Sequence, residues 1–328
     1  MTALAPILQG YFTQRLAQRQ ASPHTVASSR DTFCLLLRYA HKHLGKPPSR
    51  LDFTDLDAPL IGAFLAHLEA ERGNSITTRN NRLAALHSLF SYAALHCPEH
   101  AALISRVLAI PSKRADTTLV SFLTPAETAA LLAAPDRGSW LGRRDHALLL
   151  VAVQTGLRVS ELTGLDRGDV TLGTGANVRC RGKGRKERRT PLTRATARIV
   201  ADWLSERNDK PAGPLFPSRT GGKLSTDAVT DLLARHVTAA ARQCPSLGAK
   251  KVTPHTLRHT AAMNLLHAGV DTSTIALWLG HAGTKATQVY LHADLALKET
   301  ALARTCPPGT GRVRYQPPDR LLAFLESL

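Results

Sequence analysis

The stretch "HTLRHTAAMNLL", residues 255–266, sets Arg258 between His255 and His259 on an apolar segment of helical period. "LGHAGTKATQVYLH", residues 279–292, follows at once and adds His281 and Tyr290. Such groups on apolar supports are either satisfied structural residues or parts of one phosphate-handling site. Two earlier segments bear on the choice. In "TGLRVSEL", residues 155–162, Arg158 comes just after a helix-ending glycine, and Glu161 at i+3 can hold its guanidinium. In "RGKGRKE", residues 181–187, Lys183 sits on a turn whose glycines let backbone approach a ligand; Lys186 is its one rival, further along the hairpin.

Taken together these residue types suit metal-free transfer of a phosphodiester. Two arginines can neutralise the non-bridging oxygens of a crowded phosphorane-like transition state without titrating. A tyrosine can attack phosphorus and conserve the bond energy as an ester. Histidine and lysine can move protons to and from the attacking and leaving oxygens. His255 and His259 also have the i,i+4 spacing of a zinc-binding helix, but Thr256 stands where such a helix needs a glutamate base, and Arg258 would sit beside the ion. No P-loop is present. The expectation is an enzyme with neither metal nor cofactor.

Charge points to the substrate. The 328 residues carry 42 Lys+Arg against 25 Asp+Glu, a formal +17. Residues 1–110 hold 11 of the basic and 7 of the acidic side chains, so both halves are positive. A polyanion is the implied partner, nucleic acid before membrane, because no basic amphipathic tail is present. The five cysteines (34, 97, 180, 244 and 306) are scattered without a CxxC pair. No apolar run is long enough to span a bilayer, and the N-terminus lacks a signal-peptide layout. A cytoplasmic protein associated with the nucleoid is expected.

The first hundred residues read as a helical bundle. Ser22 and Pro23 open a helix that Gly45 closes, with Phe33, Leu36, Leu37 and Ala40 on one face. "SITTRNNRLAALHSLFSYAALH" supplies another, with Leu83, Leu86 and Phe90 apolar and Arg79 and Arg82 together on a second face. Those two arginines are either DNA-phosphate contacts or an ordinary solvated face. Residues 111–123 read as a linker, and Thr124 with Glu127 forms a capping box opening the next helix. "DHALLLVAVQTG" is a buried helix stopped by Gly156, "NVRCRGKGRKERRTPL" is a β-hairpin, and helices resume around 195–203, 226–242 and from 255. The class is mainly α with a small β-sheet.

"TGLRVSELTGL", "GKGRKERRTPL", "HTLRHTAAMNLL" and "LGHAGTKATQVYLHA" resemble, in order, the motif boxes of the tyrosine recombinases, the family of phage integrases, Xer resolvases and Cre-type enzymes. The resemblance covers roughly residues 1–295. It implies a helical core-binding domain (1–110), the linker (111–123), a catalytic domain (124–295) and a C-terminal tail (296–328), the two domains clamping DNA. It implies Arg158 and Arg258 as phosphate clamps, Tyr290 as nucleophile, Lys183 as general acid, His255 as proton acceptor near the tyrosine and His281 as a donor to the phosphate. Glu161 resembles the acidic residue that orients the first arginine. His259 and His292 are left as supports.

The implied reaction cuts one strand to a 3′-phosphotyrosine, then exchanges strands through a Holliday junction in a homotetramer on paired sites, with possible accessory recombination proteins. The leading biological reading is the recombinase of a mobile element. A Xer-like dimer resolvase is the alternative, and a type IB topoisomerase-like strand transferase a further one. In the tail, "PPDRLLAFLESL", residues 317–328, aligns Leu321, Leu325 and Leu328 on one face. A helix that short needs a surface to dock on, in its own subunit or, as the leading reading has it, a neighbouring one.

Overall fold

Side-chain caps start the helices of the N-terminal half where the sequence places them. After α1 (Leu4–Gly10), the Ser22 hydroxyl accepts a hydrogen bond from the Thr25 amide at 3.2 Å, Pro23 fills the first turn, and α2 (Pro23–Leu44) runs to Gly45 in the left-handed conformation. Asp57 and Ser75 cap α3 (Ala58–Ala70) and α4 (Ile76–His96) in the same way, each cap contributing about 1 kcal/mol. The short α5 (Ala101–Leu108) follows. Phe33, Leu36 and Ala40 of α2 meet Ile61, Phe64 and Leu65 of α3 and Leu83, Leu86 and Phe90 of α4 in one buried cluster, with Leu37 half-buried against it.

The structure is a computed structural model that describes residues 3–115, 120–182, 187–206 and 212–280, with 287 and 290. The chain divides into two compact units, Met1–Thr117 and Thr118–Leu328.

Arg79, read from the sequence as a phosphate contact, is buried in the first unit. Its Nη1 donates to Asn80 Oδ1 at 3.1 Å and to the Pro111 carbonyl at 3.0 Å, and Glu69 lies 3.7 Å from its Nε. This is a correction with a plain cause: α4 turns that side chain toward the strand of residues leaving α5, whose carbonyl needs a donor. Asn80 and Lys113 also exchange hydrogen bonds through Asn80 Nδ2 to the Lys113 carbonyl and the Lys113 amide to Asn80 Oδ1. The first residues of the segment read as a linker are thus strapped to α4. Arg82 is half-buried; burial and neighbouring Arg72 lower its pKa, against an attraction to Asp31.

In the second unit the capping box forms, with the Thr124 amide donating to Glu127 Oε2 at 2.8 Å and the Glu127 amide to Thr124 Oγ1 at 3.3 Å, and α6 (Pro125–Ala133) follows. α7 (Trp140–Thr155) is buried nearly all round and stops at Gly156. α8 (Val159–Gly164) leads to three antiparallel strands, β1 (Val170–Thr171), β2 (Asn177–Arg181) and β3 (Glu187–Pro191), in that spatial order. The hairpin expected from the sequence is β2–β3, with Val178 opposite Thr190 and Cys180 opposite Arg188. α9 (Arg194–Ser205), α10 (Thr226–Ala240), α11 (Pro254–His267) and α12 (Thr272–Leu279) complete the unit. α7 packs against α9 and α11, so the central apolar helix carries the mass of the core on one side and α11 on the other. The class is mainly α with a small sheet, as the sequence indicates.

Candidate active site

Gly156 and Gly280 set the frame. Each ends a helix with positive φ, +63° for Gly156 after α7 and +64° for Gly280 after α12. Neither has room for a side chain. A Cβ on Gly156 would lie 2.6 Å from Leu279 Cδ2 and 3.0 Å from Ala261 Cβ, and one on Gly280 would lie 2.7 Å from Arg188 Nη1. The two helix ends therefore come close together, and their last carbonyls, unpaired within the helices, face cations.

Arg258 uses them. It is 3% exposed, and its Nη1 donates to the Gly156 carbonyl and its Nη2 to the Leu279 carbonyl, both at 2.7 Å. The negative ends of two helix dipoles hold one buried guanidinium. Burial, then repulsion from Arg158, lowers its pKa to about 10, which leaves it charged at neutral pH. α11 presents Arg258 inward because Thr253 caps the helix in a reciprocal pair with Thr256, and because Leu257, Ala261 and Ala262 bury the same side. Trp278 of α12 adds a bond from its indole N–H to the Thr155 carbonyl at 3.1 Å, tying α12 to the end of α7.

Glu161 is the anion among the arginines. Its Oε2 accepts from the Arg158 amide at 2.7 Å and its Oε1 from Arg158 Nη1 at 3.1 Å, the i,i+3 pair expected from the sequence. Arg188 on β3 adds two bonds, Nη1 to Oε1 at 2.9 Å and Nη2 to Oε2 at 2.8 Å. Burial would push the Glu161 carboxyl up, yet the bonds from Arg188 and the Arg158 amide and the charges of both arginines outweigh it, so its pKa is lowered. Arg158 Nη2 also reaches the Gly280 carbonyl, at 3.4 Å. Two guanidiniums grip one carboxylate and a third, Arg258, lies within its field, and the excess positive charge suits a phosphate diester.

Tyr290 lies beside them. Its ring joins the cluster of Ala262, Met263 and Leu266 from α11 with Ile275 and Leu279 from α12. Burial raises the phenol's pKa, while Arg258 and Arg158 pull it down. The Tyr290 hydroxyl and His259 Nδ1 are hydrogen-bonded at 3.1 Å, and the tautomer sets which one donates. Burial, then the neighbouring His255 and Arg258, depresses His259 to about 4, so its imidazole is neutral at pH 7.

His255, the proton acceptor implied by the resemblance, is exposed on the same helix, its ring stacked on His259 at 6.1 Å. The histidine set aside as a support is the one touching the tyrosine. Burial pushes the Cys180 thiol up to about 11, so it is no rival nucleophile.

Arg158, Glu161, Arg258 and Tyr290 are thus brought together, while Arg79 is elsewhere in the first unit. Lys183, Lys186, His281, His292 and the tail helix lie outside the described residues. Arg188 has no role in the sequence reading and His259 only that of a support, yet the first is bonded to Glu161 and the second to Tyr290. Arg188 was findable: it shares the inward parity of Thr190 and Leu192, and an arginine facing a core needs a carboxylate. For His259, the i,i+4 spacing from His255 shows only that both lie on one side of α11. Among the described residues no group of three or more His, Cys, Asp or Glu side chains could hold a metal ion, and no helix is long and apolar enough to cross a membrane.

Residues 121–296 match the phage integrase family, and residues 8–96 match the phage integrase N-terminal SAM-like domain. An integrase/recombinase of Sinorhizobium fredii, y4rC, is 58% identical over 99% of this chain and 98% of its own length. The tyrosine recombinase XerC of Rhodospirillum centenum is 35% identical over 90% of this chain and 86% of its own. In fold, the chain is similar to the XerH site-specific recombinase bound to palindromic difH substrate, with a TM-score of 0.69 and 24% identity over 87% of this chain and 81% of that one. It is equally similar to the Tn1549 transposon integrase in complex with transposon right end DNA, with a TM-score of 0.69 and 20% identity over 93% and 99%. With its boxes in family order and its arginines gathered at Tyr290, the chain belongs to the phage integrase family, the tyrosine site-specific recombinases.

Proposed function

We propose that this recombinase cuts and rejoins double-stranded DNA at a specific site through a 3′-phosphotyrosine intermediate at Tyr290. The observation that carries the reading is the Tyr290 hydroxyl, hydrogen-bonded to a neutral imidazole beside two anchored guanidiniums. In the forward step Tyr290 Oη bonds to phosphorus and the P–O5′ bond breaks. The phenolic proton passes to His259 Nδ1, and Lys183 supplies the proton that O5′ takes up. Arg158 and Arg258 neutralise the non-bridging oxygens as charge builds on them. His281 donates a further hydrogen bond to the phosphate, and His255, its ring stacked on His259, stands behind the proton acceptor. A free 5′ hydroxyl from a partner strand then reverses the chemistry on new DNA. The phosphotyrosine keeps the energy of the broken bond, so the step needs no nucleotide, and the two arginines do the charge neutralisation that a metal would otherwise supply.

The helical first unit is the core-binding domain and the second the catalytic domain, each contacting DNA, with Arg82 a phosphate contact on the first. Paired sites assemble a homotetramer in which two rounds of exchange pass through a Holliday junction, with accessory proteins as possible partners. The work is that of a mobile element, which the similarity to y4rC, named an integrase/recombinase, supports, and its place is the cytoplasm, on the nucleoid. The similarity to XerC supports a Xer-like dimer resolvase as the second reading.

A nicked suicide substrate carrying the site, run on a denaturing gel, tests the chemistry. Wild type forms a covalent adduct with or without chelator, and Tyr290→Phe binds the site normally and forms none. A wild-type adduct in Tyr290→Phe would remove Tyr290 as nucleophile, and loss of the adduct with EDTA, restored by added metal, would revive a metal enzyme.

A further inference from the structure

Arg188 lies on β3 opposite Cys180, and its side chain is 12% exposed. Both Nη atoms are committed to Glu161, one to each carboxylate oxygen. The same guanidinium packs on the backbone of Gly280, where a Cβ would lie 2.7 Å from Nη1. Arg188 therefore sits where three segments meet: the hairpin that carries Lys183, the start of α8 with Arg158, and the end of α12 that leads to His281. Its two Nη atoms face Glu161, its Nε is buried and its side chain is little exposed, so it is not poised to grip a phosphate itself. We infer that Arg188 is a positioning residue for the strand-cleavage reaction, locking the Glu161 carboxylate so that it aims Arg158 at the phosphate.

The geometry says why a lock is needed. Arg158 is 30% exposed, and apart from Glu161 its guanidinium has the Gly280 carbonyl at 3.4 Å, a long contact. Its aim depends on where Glu161 Oε1 is. A carboxylate held from one side can turn about its last bond, whereas a fork that takes both oxygens fixes its plane. The fork comes from β3, paired with β2 along its length, and so from the hairpin of the proposed general acid. Clamp and acid are thereby registered to each other through one ion pair.

The inference rests on the reading of Arg158 as a phosphate clamp, and the test separates the two. Single-turnover cleavage of the nicked suicide substrate is measured at saturating protein for wild type, Arg188→Met, Arg188→Lys, Arg158→Ala and Arg188→Met with Arg158→Ala, alongside site binding and thermal melting. Arg188→Met should bind the site within about threefold of wild type and cleave about thirtyfold more slowly, having lost the aim of a transition-state contact. Arg188→Lys, a point charge in place of a fork, should recover part of that loss.

The double variant should be no slower than Arg158→Ala alone, within about threefold, because a lock has no effect once the group it aims is gone. A merely structural ion pair would instead multiply the two losses. Multiplied losses, or a wild-type cleavage rate in a folded Arg188 variant, would overturn the inference. If Arg188→Met fails to fold, Arg188→Lys alone and combined with Arg158→Ala carries the same comparison. An absent adduct in wild type would overturn the underlying reading, and this inference with it; a normal wild-type adduct with multiplied losses would overturn this inference alone.

Discussion

The imidazole of His259 and the phenol of Tyr290 are joined by a 3.1 Å hydrogen bond between residues 31 apart in sequence. The pairing needs the first half of α11 and Tyr290 to come together, with the tyrosine ring seated on Met263, Leu266 and Leu279. It gives a buried phenol, whose pKa burial has raised, the acceptor it needs in order to attack.

His259→Asn should cut single-turnover cleavage by about 10²–10⁴-fold, the usual contribution of a positioned proton acceptor, with site binding almost unchanged. Stability should report the same residue. The folded state holds His259 at about 4, below its ordinary 6.5, so between those values the unfolded chain binds a proton that the folded chain does not. This contribution to stability is complete above the ordinary value and is lost as pH falls from about 6.5 to about 4, by up to about 1.4 kcal/mol per pH unit. Urea unfolding of wild type and His259→Phe across that range checks it: the variant should have the flatter profile, and parallel profiles would contradict the assignment.

Arg158→Ala and Arg258→Ala should both slow cleavage by about a hundredfold or more, yet differ in stability. Cutting Arg258 leaves the Gly156 and Leu279 carbonyls buried without their donors, at about 1–3 kcal/mol each. Cutting Arg158 leaves Glu161 still paired with Arg188. Thermal melting should show a large drop for Arg258→Ala and a small one for Arg158→Ala. Equal losses in DNA binding and cleavage would instead make the two arginines ordinary phosphate contacts.

Gly156→Ala should destabilise by more than about 1 kcal/mol, because the site combines a left-handed backbone with contacts of 2.6 Å and 3.0 Å from a new Cβ. Gly164→Ala, with open space around it, is the control and should be close to neutral. Since Gly156 also presents the carbonyl that holds Arg258, the Ala variant should lose cleavage activity even at a temperature where it remains folded. A fully active, stable Gly156→Ala would show that the close approach of α7 and α12 is dispensable.

The sequence by itself determined the helices, their caps and the hairpin, because these depend on residues a few positions apart: Ser22 with Thr25, Thr124 with Glu127, Arg158 with Glu161. It also determined the chemistry, since two arginines, a tyrosine and their histidines suit phosphate transfer wherever they fall in the fold. Tertiary structure decided the partners. Arg79 went to the interior because the carbonyl of Pro111, 32 residues away, needed a donor. His259 reached Tyr290, and Arg188 reached Glu161 across 27 residues, because α11 packs on α7 and α12 and because β3 turns Arg188 and Thr190 to its buried side. Local spacing fixes which side of a helix a residue takes; only the packing of helices fixes what lies opposite it.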